Sequence, residues 1–140
     1  MTVAFAAKKY LYDMAVQDSV LSSQNVYVTY GFPDETPEKR WLLIGQIEWD
    51  QSDWVTNRSR LEVFNITVML DCVLFATDAL TSEQYTRDLL ADFETSLKGD
   101  PTMNGLLVTS SFRPVKLNGW PTPDGYEVQF EGEMVCQARI

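Results

Sequence analysis

The segment from Tyr126 to Ala138 alternates between two chemistries without a break. One set of positions reads Tyr126, Val128, Phe130, Gly132, Met134, Cys136 and Ala138. The other reads Glu127, Gln129, Glu131, Glu133, Val135, Gln137 and Arg139. Successive side chains of a strand point to opposite faces, so a period of two over this length requires a strand with one face in a core. The other face turns outward and carries three glutamates on rigid sheet rather than on a loop. Two readings follow. Antiparallel sheets commonly leave one face in water, which makes the glutamates a solvated surface. Alternatively, they form an anionic surface held in a fixed shape.

The rest of the chain supplies what such a strand needs. Val3, Ala7, Tyr10, Leu11, Met14 and Leu21 recur at helical spacing and predict one helix over residues 3 to 21. Val26 to Tyr30 is a short β-branched and aromatic strand. Trp41 to Trp49 predicts a second, with Trp41, Leu43, Gly45, Ile47 and Trp49 on one face. Arg60 to Cys72 predicts a third, with Phe64, Ile66, Val68, Leu70 and Cys72 inward. Thr81 to Lys98 predicts a helix, with Thr81 and Gln84 placed as a capping box, Gly99 as a left-handed stop and Pro101 beyond it. Leu106 to Phe112 predicts a fourth strand. Arg113 to Gly125 reads as a turn-rich excursion, with hairpin signals at Asn118-Gly119 and Asp124-Gly125, and with Pro121 and Pro123 against regular pairing. The order α-β-β-β-α-β-β predicts one α+β domain over residues 1–140. Its single mainly antiparallel or mixed sheet has about five strands, with two helices packed on one face.

Composition narrows the chemistry. The 140 residues include no histidine, which removes the commonest general base, the histidine-dependent catalytic triads and the most frequent metal ligand. Two cysteines cannot make a four-ligand zinc site, and no Gly-rich phosphate loop is present. The row Glu127, Glu131, Glu133 is the one candidate for paired-carboxylate catalysis, but no apolar wall stands beside it to raise one pKa. A non-enzymatic role with no cofactor and no metal is expected. Net charge is −9, which disfavours gripping a polyanion and favours letting one pass. Cys72 and Cys136 both fall on apolar strand faces and are expected as buried free thiols. No stretch reaches the length of a membrane span, and the start lacks the pattern of a secretory signal, so synthesis in the cytoplasm is expected.

What remains is surface chemistry. Phe32, Trp54 and Trp120 fall in predicted loops, where a monomer gains little from exposing large aromatics. Each could plug its own core, but all three together point to contacts with partners. Arg58 and Arg60 flank Ser59 before the third strand, and Arg113 follows the fourth. In an acidic chain these are natural partners for carboxylates on a neighbouring copy.

The run Val26-Tyr27-Val28-Thr29-Tyr30-Gly31-Phe32-Pro33 follows a helix. It is succeeded by Trp41 to Gly45, Asp50 to Trp54, and Asn57-Arg58-Ser59-Arg60-Leu61-Glu62 leading into a long strand. Asp100-Pro101-Thr102-Met103-Asn104-Gly105 then follows the second helix. This layout resembles the tail terminator, or tail completion, proteins of long-tailed non-contractile bacteriophages, across most of the chain. The resemblance implies a ring of six copies at the head-proximal end of the tail tube in the virion. There the ring ends tube polymerisation and presents the surface that joins the head. Expected partners are other copies of the chain, the major tail tube protein and the head–tail connector, with DNA passing through unbound. Glu127, Glu131 and Glu133 are candidates for the ring lumen. Asp50, Asp53, Trp54, Arg58 and Arg60 are candidates for the contact between copies. Phe32, Arg113 and Trp120 are candidates for reaching the tube or connector. Two other readings compete: another neck or tube component, and a small-ligand domain with a pocket lined by Tyr126, Phe130, Phe64 and Trp41.

Overall fold

Two long strands, β3 (Leu61–Phe75) and β5 (Gly125–Arg139), pair antiparallel from Leu61 opposite Arg139 to Phe75 opposite Gly125 with no register break. The structure is a computed structural model that describes residues 2–32, 40–49, 61–75, 77–123 and 125–139. The remaining elements are α1 (Ala4–Gln17), α2 (Ser19–Ser23), β1 (Tyr27–Tyr30), β2 (Arg40–Trp49), α3 (Ala79–Lys98) and β4 (Thr109–Thr122). The strands form one sheet in the order β1-β2-β3-β5-β4. Among the described strands only the β1–β2 pair is parallel, so the sheet is mixed, and the fold is α+β as expected.

The predicted alternation sets the layering. Phe64, Ile66, Val68, Leu70 and Cys72 of β3 join Met134, Cys136 and Ala138 of β5 in one buried cluster. α1 adds Ala4, Ala7, Leu11 and Ala15, and α3 adds Leu89, Leu90, Phe93 and Leu97. The helices therefore share one face of the sheet. The three buried alanines of α1 put little side-chain bulk between that helix and its neighbours. Glu62, the buried acid on this face, accepts hydrogen bonds from the Thr2 hydroxyl at 2.7 Å and the Val3 N–H at 3.1 Å. It caps the open N-terminus of α1, whose own N-cap residue Val3 has no side chain able to do so.

Several local expectations are corrected. The first helix stops at Asp18, whose extended backbone breaks the chain direction. The Asp18 carboxylate then accepts from the Val20 and Leu21 N–H groups and starts α2, so Leu21 belongs to a second short helix. α3 begins at Asp78 rather than Thr81: the Asp78 carboxylate accepts from the Thr81 N–H at 2.8 Å. Gly99 is right-handed, and the left-handed residues come later, at Met103, Asn104 and Gly105. That turn is pinned by Asp100, which accepts from the Tyr10 hydroxyl at 2.6 Å and the Asn104 N–H at 2.8 Å, while Met103 plugs the core.

Strand β2 slips register between Ile44 and Ile47. Trp41 and Leu43 therefore face away from the helices, whereas Ile47 packs on the helix-side core and Trp49 contacts the ring of Phe5 from α1. A strict period of two put all of them on one face, and the bulge overturns that. The excursion predicted over Arg113 to Gly125 is mostly strand. β4 runs through Pro114, Asn118-Gly119 and Pro121 to Thr122. It is an edge strand, where a proline can turn its missing N–H away from the ladder at no cost. Cys72 and Cys136 are free and buried. They sit opposite Val128 and Phe64 respectively, eight ladder positions apart, which at about 3.3 Å per residue is far beyond disulfide reach.

Gly132 is required by close approach. A methyl group there meets the ring of Phe112 and the Arg113 carbonyl across the β4–β5 ladder. Gly132→Ala is expected to lower stability in urea unfolding by about 1–3 kcal/mol. Most of that loss should vanish in a Phe112→Ala background, and an equal loss in both backgrounds contradicts the ring contact.

Candidate functional site

The side of the sheet that faces away from the helices is the surface on which the sequence placed its candidate acids. Among the described residues no helix lies on it. Register fixes its rows. One row runs Tyr27, Trp41, Asp71, Gln129, Asn118. The next runs Thr29, Leu43, Met69, Glu131, Lys116. Glu127 lies between Val73 and Trp120, and Glu133 between Thr67 and Arg113. The face thus carries Asp71, Glu127, Glu131 and Glu133 toward Arg113 and Lys116, with Arg139 at one end.

The three glutamates do share one face, and they are half-buried rather than fully wet. Their environments differ. Glu133 is ion-paired to Arg113 on the adjacent strand. Glu131 lies opposite Lys116 in register. Glu127 lies opposite Trp120, and burial holds its carboxyl above the usual range. The fold therefore unites on one surface residues that the sequence had divided between a lumen and a tube contact. Arg113 and Trp120 sit beside the glutamates, and Trp120 is on a strand rather than a loop. Phe32 stands apart, in a bend just after β1, and is 80% exposed. Asp50, Asp53, Trp54, Arg58 and Arg60 lie outside the described residues.

Asp71 is the residue that sequence reasoning passed over. It is 3% exposed although it is on the face away from the core. Burial raises its carboxyl from 3.8 to about 6, a hydrogen bond from Gln129 opposes the rise, and the nearby Glu127 charge adds to it. The sequence shows only an acid among Thr67, Met69 and Val73. Its burial depends on which residues flank it across two ladders, which no local pattern reveals.

The proposed ligand pocket does not form. Phe64 and Phe130 face the helices, whereas Trp41 lies in the row of Asp71 on the opposite face. One open cleft of about 520 Å³ lies between α1, α2 and α3, with Tyr10, Asp13, Met14, Asp18 and Ser96 among its lining residues. Asp18 is engaged there as a helix cap and accepts from the Ser96 hydroxyl. No group of three or more potential metal ligands occurs among the described residues, and no described helix is long and apolar enough to cross a membrane.

Comparison with known proteins adds one finding. No family model matches the chain, and no curated protein matches it. A chain in a solved structure of the virion of a native gene transfer agent (GTA) particle matches with a TM-score of 0.69, covering 99% of this chain and 98% of that one. A virion component shares this fold. Sequence identity is 13%, so the likeness is one of architecture, and it extends over the full length of both chains.

A carboxyl that holds its proton more tightly in the folded state stabilises the fold at low pH. That contribution is lost as pH rises through the folded value. For Asp71 the window runs from its ordinary 3.8 to about 6. Asp71→Asn is expected to remove this fall and to raise stability above pH 6 by about 1–3 kcal/mol. Urea midpoints measured across that window check it: an unchanged slope in the variant contradicts the assignment.

Proposed function

We propose that the protein is a structural component of a virion, and that it forms the ring that ends the tail tube and receives the head. The observation that carries this reading is the end-to-end fold match with a virion chain. The order of motifs from Val26-Tyr27-Val28 to Asp100-Pro101-Thr102 supports the narrower role, because it resembles the tail terminator layout. A sheet whose described helices all lie on one side is suited to such a role: it leaves a stiff second face for a passage.

In this reading six copies surround a channel, and the face bearing Glu127, Glu131 and Glu133 lines it. DNA passes such a wall without adhering, because the acids outnumber the bases on it and fixed carboxylates repel phosphates. The pairing of Glu133 with Arg113 leaves Glu127 and Glu131 as the main source of that repulsion. Arg113 and Trp120 then belong to the channel wall or its rim, and Phe32 is the outlying aromatic that reaches the tube protein or the connector. Asp50, Asp53, Trp54, Arg58 and Arg60 contribute to the contact between copies.

Purified chain mixed with tail tube protein and imaged by electron microscopy tests the role. Rings, or tubes capped at one end, are expected. Long polymers of the chain alone would instead identify a tube component. Glu127→Lys with Glu131→Lys is expected to leave rings intact and to slow passage of DNA, read as a loss of infectivity or transfer at normal particle number. Undiminished transfer by that variant contradicts the lumen assignment.

A further inference from the structure

The two edge strands of the sheet differ from the three inner strands in charge. β4 carries Arg113 and Lys116 and no acid, and β1 carries no charge at all. Each of β2, β3 and β5 contains at least one acid. In a chain of net charge −9, the acid-free strands are those with no strand on their outer side among the described residues. Both edges also expose large apolar groups: Val115 and Leu117 on β4, and Tyr27 and Tyr30 on β1. Each holds an orphan as well, since the hydroxyls of Thr29 and Thr122 are sealed from solvent with no hydrogen-bond partner. Buried polar groups without partners are rare in finished structures.

We propose that β4 of one copy pairs with β1 of the next, so that the sheets join into one continuous wall. This rests on the ring reading and names the surfaces that close the ring. Direction permits it. β1 runs parallel to β2 and β4 antiparallel to β5, so β1 and β4 run opposite ways and meet as antiparallel neighbours. Length permits it too. Pro114 and Pro121 cannot donate, and the ladder slips between Pro114 and Lys116, which leaves a short proline-free window from Val115 to Trp120. The four residues of β1 fit that window. Row counting gives the register: Val28, Leu42, Leu70, Phe130 and Leu117 lie in one row, so Val28 of the next copy falls opposite Leu117.

The same features explain why the contact is head-to-tail. Two β4 edges meeting each other would bring two cationic, proline-interrupted strands together, and two β1 edges would share only four residues. Pairing unlike edges avoids both. A contact between unlike surfaces generates a ring when the rotation closes. Strand addition at a sheet edge draws its affinity from main-chain bonds, and the prolines restrict it to the one window. Lys116 then falls opposite Thr29, with the Tyr27 ring as its diagonal neighbour on the same face, within reach of a long cationic side chain.

Counting by twos from Pro121 puts the Leu117 N–H on the outward side of β4. Leu117→Pro therefore removes a donor used only between copies. In sedimentation of the full chain, this variant is expected to self-associate at least roughly tenfold more weakly than wild type while its circular dichroism is unchanged. Tyr27→Lys, at a position 61% exposed, sets a second cation against Lys116 and is expected to have the same effect if the proline variant fails to fold. Leu117→Cys combined with Val28→Cys is expected to give a covalent ladder on mild oxidation, with the native thiols buried. Folded Leu117→Pro and Tyr27→Lys variants that assemble like wild type overturn the proposal, as does a wild-type chain that stays monomeric at every concentration. Either result leaves the virion role to be decided by imaging with the tube protein.

Discussion

The uninterrupted ladder between β3 and β5 is the constraint on which the rest of the molecule depends. Fifteen consecutive register pairs fix two faces for two strands at once, because a slip of one residue would send every core side chain to the outside. On one face, Phe64, Ile66, Val68, Leu70, Met134 and Cys136 have nowhere to go but under α1 and α3. On the other, the glutamates of β5 and Asp71 of β3 are held in rows that side-chain motion cannot rearrange. Irregularity is pushed to the flanks, to the slip in β2 and the slip at Pro114 in β4.

This division explains what was legible in the sequence. β5 and the helix-side face of β3 were readable residue by residue, because an unbroken period of two leaves one solution. The thiol state of Cys72 and Cys136 followed from the same alternation. The β2 slip was not readable: nothing in Gly45-Gln46 separates a bulge from a regular strand, and so Trp41 was assigned to the wrong face relative to Ile47. β4 was cut short because Pro114, Pro121 and Asn118-Gly119 argue against strand in general. They are permitted here by an edge position that only the full strand order reveals. The start of α3 was read at Thr81, although Asp78 three residues earlier has the better acceptor.

The candidate surface was half legible. That Glu127, Glu131 and Glu133 share a face was in the alternation. That Arg113 neutralises Glu133, that Glu127 meets Trp120, and that Asp71 is buried beside Gln129 all depend on partners on other strands, beyond the reach of a local pattern. The surface is consequently less uniform than a row of acids: it is anionic toward Asp71 and Glu127, balanced toward Glu133, and cationic toward the free edge of β4. An acid-free edge on an acidic molecule is a place where copies can approach without the repulsion that keeps their other surfaces apart.

In the proposed ring this chain meets its neighbours through the two edges of its sheet, with the second face toward the channel and the helical layer turned away. Amide hydrogen exchange on the free chain and on the assembled particle measures this directly. Slow exchange in β3 and β5 is expected in both states, with new protection on assembly, among the described strands and helices, confined to β1 and to β4 between Val115 and Trp120. Protection gained instead along the exposed sides of α1 and α3, with the sheet edges unchanged, would contradict the account.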